Sequence, residues 1–101
     1  MERVENEAAN EIRRLIHELL PKMSLEEVAV RPGTNADGEP SLFVRVVFQR
    51  TPERSDFRAM RIVLSRFRDW LSAEKADERF PYFEVSTTAE ERHASEASER
   101  A

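Results

Sequence analysis

The chain has no cysteine, which excludes disulfide bonds, thiolate metal sites and cysteine nucleophiles. It has only two glycines, Gly33 and Gly38, and both lie in one turn rich in Pro and Asp, so a glycine-rich phosphate-binding loop is excluded too. No apolar run approaches the roughly 18 residues that a membrane helix needs. The first residues are acidic rather than basic, so we expect no secretory signal. These absences favour a cytoplasmic protein.

Groups that carry catalysis are also scarce. The two histidines are His17, on the polar face of the first predicted helix, and His93, near the end of the chain. Neither has a sequence neighbour that would make a base–nucleophile pair. The His, Asp and Glu residues do not have the spacing of a closed metal site. We therefore predict no enzymatic activity, no metal and no cofactor.

The charge is unevenly distributed along a chain long enough for one domain. The 101 residues have a net charge of −4. Residues 41–71 carry seven arginines against three acids and are therefore basic, whereas the segments before and after them each have a balance of −4. A basic centre between acidic ends allows weak anion binding by the centre, charge balance within the molecule or self-association.

Apolar residues recur at three- and four-residue spacing in two segments, and this period predicts two amphipathic helices. The first covers residues 3–20 and ends at Pro21. The second covers residues 53–74 and follows Pro52. Its predicted buried stripe consists of Phe57, Met60, Leu64, Phe67 and Leu71.

Three other segments predict β-strands, at residues 25–31, 41–49 and 80–87. Pro32 and Gly33 are expected to end the first strand, and the turn residues that follow lead back into the second. Pro81 cannot donate a ladder hydrogen bond, which predicts a strand beginning or an unpaired edge there.

Burying the apolar faces of these elements predicts an α+β fold, a two-layer sandwich in α-β-β-α-β order. Its three-stranded mixed sheet has both helices on one face, with the strand at 41–49 in the middle. The first two strands pair antiparallel, and a right-handed crossover makes the third parallel to the second. Residues 1–87 form this single domain. Residues 88–101 contain no large apolar residue and are expected to be a disordered C-terminal tail.

The central strand is apolar on both faces, which a strand with one solvated face is not. The face away from the helices should therefore be covered or used for binding. Its candidate binding residues are Phe43, Arg45, Val47, Phe80 and Tyr82. They can pack against an identical face or another protein, stack unpaired bases, or be covered by the chain's own tail or a loop.

A second candidate surface is an arginine ridge on the second helix. Its members fall within about one quarter of the helix circumference: Arg54, Arg58, Arg61 and Arg68. They can bind phosphates or an acidic partner. Alternatively the ridge is a solvated face whose arginines pair with nearby acids such as Asp56 and Asp69.

The element order resembles that of small KH-like domains, but the GxxG loop of those domains is missing. The aromatic sheet resembles that of RRM domains, whose strand order and aromatic signature differ. No family is assigned on motifs. The sequence favours a non-catalytic protein that works by protein–protein association, as a homodimer or a regulatory partner. The alternative is a single-stranded nucleic-acid or RNA-binding module that uses the open sheet face and the arginine ridge.

Overall fold

A computed structural model describes residues 3–92 of the chain. It contains α1 (Val4–Leu19), β1 (Leu25–Thr34), β2 (Pro40–Phe48), α2 (Arg54–Lys75) and β3 (Phe80–Thr87). A third helix, α3, begins after β3 and is described over residues 88–92. The predicted α-β-β-α-β order is thus confirmed, with α3 as an addition.

The sheet has the predicted mixed topology. Its strand order is β1-β2-β3, with β1 antiparallel and β3 parallel to the central strand β2. Both α1 and α2 pack on the same face, where one core cluster joins buried residues of the helices to those of β2. The two-layer α+β sandwich is therefore confirmed, and the opposite face of the sheet has neither long helix over it.

The buried stripe of α2 differs from the predicted one by a rotation of the helix. The buried residues are Met60, Val63, Phe67 and Leu71. Phe57, predicted as buried, is 48% exposed. Phe67 is fully buried between Trp70, whose ring stacks at 5.8 Å, and Phe83, whose ring meets it edge-on at 5.9 Å.

The strand β1 is longer than predicted. It continues through Pro32 and Gly33 to Thr34, with Pro32 opposite Leu42 of β2. The sheet order places β1 at an edge. A proline is tolerated in an edge strand because its missing N–H can face away from the neighbouring strand. The prediction that Pro32 and Gly33 end the strand was therefore wrong.

Ion pairs between the two long helices account for part of the charge balance expected from the sequence. Lys75 lies 2.8 Å from Glu7, and Arg66 lies 3.4 Å from Glu18. Both acids belong to the acidic N-terminal segment. The pairs are partly exposed, so each contributes little to stability. They nevertheless give Lys75 and Arg66 of α2 carboxylate partners within the chain.

The start of α3 is fixed by a helix cap. The backbone N–H of Glu90 donates to Oγ1 of Thr87 at 3.2 Å, which satisfies one of the free N–H groups of the first turn. The hydroxyl of Thr88 also donates to the carbonyl of Phe48 at 3.4 Å. Residues 88–92 are thus helical and attached to β2, where a disordered tail was predicted. The rest of that predicted tail, residues 93–101, lies outside the described residues.

Candidate functional site

The sheet face turned away from α1 and α2, called the reverse face below, consists of four transverse rows of side chains. The strand register aligns each row across β1, β2 and β3. The rows are, in order, Gly33–Ser41–Phe80, Arg31–Phe43–Tyr82, Ala29–Arg45–Glu84 and Glu27–Val47–Ser86. Aromatic rings are therefore confined to the end where β2 and β3 begin, and charged or small residues occupy the other end.

Three aromatic rings, Phe43, Phe80 and Tyr82, form a continuous aromatic patch in the first two rows. Phe43 and Tyr82 stack with ring centroids 5.6 Å apart, and the centroid of Phe80 lies 4.9 Å from that of Tyr82. Phe80 is 45% exposed and Tyr82 is 40% exposed. The structure thus brings together three of the five residues predicted for this face into one exposed apolar surface.

The position of Phe43 depends on Gly33 in the neighbouring strand. A Cβ at residue 33 would lie 2.6 Å from Cε2 of the Phe43 ring, too close for an unshifted side chain. The Cε2–Cδ2 edge of the Phe43 ring therefore occupies the space that a side chain at residue 33 would fill, and Phe43 is partly buried. This close approach holds Phe43 in a fixed orientation for its stack with Tyr82.

The turn between β1 and β2 contacts the hydroxyl group of Tyr82 through Asn35. Asn35 accepts the backbone N–H groups of Asp37 and Glu39 on its Oδ1, at 2.9 and 3.0 Å. Its Nδ2 donates to the Tyr82 hydroxyl oxygen at 3.2 Å. Gly38 allows the turn, because its φ of +80° suits a residue without a side chain. The patch is thus orientated before any partner arrives, which lowers the entropic cost of binding.

Arg68 of α2 connects the patch to the helix layer. Its guanidinium carbon lies 4.8 Å from the centroid of the Phe80 ring, a cation–π distance. Arg68 was predicted as part of the arginine ridge, but it lies here at the β3 edge of the sheet. A depression of about 710 Å³ runs along this edge between α2 and β3.

The other end of the reverse face is contacted by α3. Glu91 forms a salt bridge with Arg45 at 2.6 Å and accepts a hydrogen bond from Oγ of Ser86 at 2.8 Å. Arg45, predicted as an open binding residue, is therefore partnered within the chain. The Ser86 and Arg45 hydrogen bonds lower the pKa of Glu91, and the hydrogen bond to Glu91 raises the pKa of Arg45.

Val47 lies in the last row and is only 2% exposed. It is not part of the core cluster beneath the helices. Its row contains Ser86, one of the two residues that α3 contacts through Glu91. The prediction that Val47 belongs to the open surface is therefore corrected: this end of the reverse face is covered by the chain itself, and the open part is the aromatic patch.

Glu91 was missed because residues 88–101 were interpreted as a tail. The signal lay in the sequence Thr87-Thr88-Ala89-Glu90, which fits the S/T-x-x-E pattern at a helix beginning. One helical turn beyond Thr87 brings a residue back over the sheet, and Glu91 occupies that position. The pattern would have predicted the helix, although not the contact with Arg45.

We expect the carboxyl group of Glu91 to titrate below the usual range of a glutamate, and replacing Ser86 with alanine to raise its pKa. The Ser86 hydrogen bond is the largest contribution to the lowered pKa. Because the pKa is lower in the folded state, the contact stabilises α3 above the usual glutamate range and is lost as pH falls through the lowered value. Carbon-detected NMR titration of the side-chain carboxyls measures both values. A Glu91 pKa in the usual range, or one unchanged in Ser86→Ala, would contradict the contact.

The arginine ridge lines two neighbouring depressions of the structure, and Arg61 belongs to both. Arg54, Arg58 and Arg61 surround the exposed ring of Phe57 in a shallow depression of about 490 Å³. Arg68 lies two turns beyond Arg61, over Phe80, and both arginines line the 710 Å³ depression between α2 and β3. Within residues 3–92, no carboxylate oxygen lies within 4.0 Å of a ridge guanidinium. The predicted pairing of the ridge with Asp56 or Asp69 is therefore not observed.

Histidine and acidic side chains are the other candidates for chemistry in the part of the chain that the structure describes. His17 is exposed on α1, and His93 lies outside that part. Between residues 3 and 92, no three His, Asp or Glu side chains come together as a potential metal site. None of the helices in the same range combines the length and the apolar character needed to cross a membrane.

Comparisons of the chain with protein-family models, with curated proteins and with solved structures found no match. Function is therefore inferred from the geometry of the aromatic patch and of the arginine ridge.

Proposed function

We propose that the protein works by non-catalytic association, and that its partner at the aromatic patch is a second copy of itself. The observation that carries this proposal is the contact of three rings, Phe43, Tyr82 and Phe80, of which Tyr82 and Phe80 are exposed. Aromatic residues are enriched at the centres of protein interfaces, and rigid rings lose little entropy when they bind. The cytoplasmic location predicted from the sequence is part of this proposal.

The choice of a second copy follows from the shape of the reverse face. A two-fold axis that crosses the strands between the Phe80 row and the Tyr82 row exchanges these two rows. Phe80 of one copy then packs on Tyr82 of the other, twice, and both of these rings are exposed. An aromatic surface of this kind is self-complementary, as an isologous interface requires.

The position of α3 favours this axis over one that runs along the strands. Face-to-face sheets pack about 10 Å apart, which leaves no room for a helix between them. An axis along the strands would bring the two α3 helices together in that space. The axis across the strands places them at opposite ends of the dimer, so that each α3 limits how far the partner extends over the reverse face.

The composition of the C-terminal residues 93–101 favours a second copy over this segment as the partner of the aromatic patch. Residues 93–101 consist of alanine, serine, glutamate, arginine and one histidine. A segment without a large apolar side chain has little to bury against three aromatic rings. A second aromatic patch offers far more apolar area of matching chemistry.

Cysteine crosslinking tests the proposed dimer, since the natural chain contains no cysteine. Arg31 is exposed on the reverse face beside Phe43. The proposed axis brings the two copies of residue 31 to about 12 Å from each other, from the spacing of residues along a strand and of packed sheets. Arg31→Cys is therefore expected to form a covalent dimer in high yield with a bis-maleimide reagent of that length.

The matched control is Glu27→Cys, on the same strand and the same face but at the end near α3. The proposed axis separates its two copies by about 34 Å, beyond the reach of the reagent. We expect only background crosslinking for Glu27→Cys at equal protein concentration. Equal yields for the two variants, or no dimer from Arg31→Cys, would refute the proposed interface.

A further inference from the structure

The outward surface of the first half of α2 combines three cations with one exposed ring. Arg54, Arg58 and Arg61 are exposed, and together with Phe57 they form the whole lining of the 490 Å³ depression. Phe57 is 48% exposed although it is a large apolar residue. This surface lies on the helix layer, whereas the aromatic patch lies on the reverse face. The 710 Å³ depression, which Arg61, Phe80 and Tyr82 help to line, runs between the two.

Within residues 3–92, no carboxylate oxygen lies within 4.0 Å of the guanidinium groups of this surface. The acids nearest in sequence are Glu53, the exposed residue before Arg54, and Asp56, which accepts the backbone N–H of Glu53 at 2.8 Å in the helix cap and lies 3.4 Å from Arg50. The Asp56 carboxylate therefore has its partners at the beginning of α2. By contrast Arg66, farther along the same helix, has a carboxylate partner in Glu18. Residues 50–61 carry four arginines against these two acids, so the charge of this segment is positive although that of the whole chain is −4, and local charge directs charged ligands.

We propose that this surface, formed by Arg54, Phe57, Arg58 and Arg61, binds single-stranded nucleic acid. The three arginines follow each other at positions i, i+4 and i+7, which spreads them along about 10 Å of the helix axis. A ligand that matches them must carry repeated negative charges and present flat rings to Phe57. Unpaired nucleotides have both, because each phosphate is followed by a base with a free face for stacking.

Two related ligands match the surface less well. In a duplex the bases are already stacked and paired, so the Phe57 ring has no free base face to contact. An acidic peptide supplies the charge but lacks regularly repeated flat rings. Arg45, which the sequence assigned to the same nucleic-acid surface, is excluded from it because Glu91 is its partner.

The experiment is fluorescence anisotropy of a labelled oligothymidylate of about 15 nucleotides, a length within the range that small binding domains cover. We expect the protein to bind the oligonucleotide at low salt. A plot of the logarithm of the association constant against the logarithm of salt concentration should have a slope of about −2, because three phosphates are contacted. Arg58→Gln is expected to reduce this slope by about 0.7. Phe57→Ala is expected to weaken binding about tenfold, from the loss of base stacking.

The matched control is Arg66→Gln, which removes an arginine of the same helix that already has a carboxylate partner. It should leave the affinity and the slope unchanged. No anisotropy change with the unaltered protein at low salt would overturn the proposal, and so would an equal loss in Arg66→Gln. Equal binding of the corresponding duplex, or displacement of the oligonucleotide by polyglutamate at equal charge concentration, would also overturn it in favour of a purely electrostatic or acidic-peptide site.

Discussion

Replacing Phe67 with alanine is expected to lower the free energy of unfolding by about 3–5 kcal/mol. The side chain is fully buried, and its ring contacts both Trp70 of its own helix and Phe83 of β3. Its removal leaves a cavity at the place where α2 meets the sheet. Since domains of this size are stable by only about 5–15 kcal/mol in total, this single change removes a large part of the stability.

Urea unfolding followed by circular dichroism, with the fluorescence of the only tryptophan as a second probe, measures the loss. All samples should have the same protein concentration, because a dimer links unfolding to concentration. The matched control is Phe57→Ala, the same substitution on the same helix at a residue that is 48% exposed. It should change stability by roughly 0.5 kcal/mol or less. Equal losses in the two variants would show that α2 buries the stripe predicted from the sequence instead.

Replacing both Phe80 and Tyr82 with serine is expected to convert the proposed dimer into a monomer. Aromatic side chains at the centre of an interface commonly contribute about 2 kcal/mol or more each. Each substitution removes two of them from a two-fold dimer, so it should raise the dissociation constant roughly a thousandfold. Both rings are exposed and neither belongs to the core cluster, so the helical signal should be retained. Light scattering coupled to size-exclusion chromatography measures the mass of each variant.

Ile62→Ser is the control for this experiment. Ile62 is an apolar residue of α2 that is 47% exposed, similar to Phe80 at 45%, but it lies away from the reverse face. It undergoes the same change from apolar to polar and should leave the mass unchanged. If Ile62→Ser dissociated the dimer and the double variant at the patch did not, the interface would lie on the helix layer instead.

The sequence predicted the layers and the sheet because several independent signals agreed. The stripes of the two long helices need an apolar sheet face to pack on, and the two apolar faces of β2 placed this strand in the middle of the sheet. The parallel pairing of β2 and β3 follows from the handedness of the helical crossover. The alternation along β3 also placed Phe80 and Tyr82 on the face opposite Phe83. Three residues of the candidate site were therefore predictable as neighbours.

Other features depend on contacts that no local pattern contains. The period of α2 allows two adjacent stripes, one including Phe57 and one including Val63, and the rotation that selects Val63 is set by packing against the other elements. The extension of β1 through Pro32 depends on its place at the sheet edge. The tight fit of Phe43 on Gly33 needs the strand register, which the turn between β1 and β2 determines.

The covered end of the reverse face shows a second reason why the sequence did not predict the whole site. The composition of residues 88–101 predicted disorder, but a four-residue capping pattern at Thr87 starts a helix that attaches to the sheet through Glu91. Average composition carries less information here than one specific pattern. Its consequence is functional, since burial of Val47 and pairing of Arg45 reduce the open surface to the aromatic patch.

Sedimentation equilibrium of the unaltered protein at tens of micromolar tests self-association through the patch most directly. The expected result is a mass of twice the 11.8 kDa chain that falls towards that of one chain on dilution. A mass of one chain throughout this concentration range would contradict it.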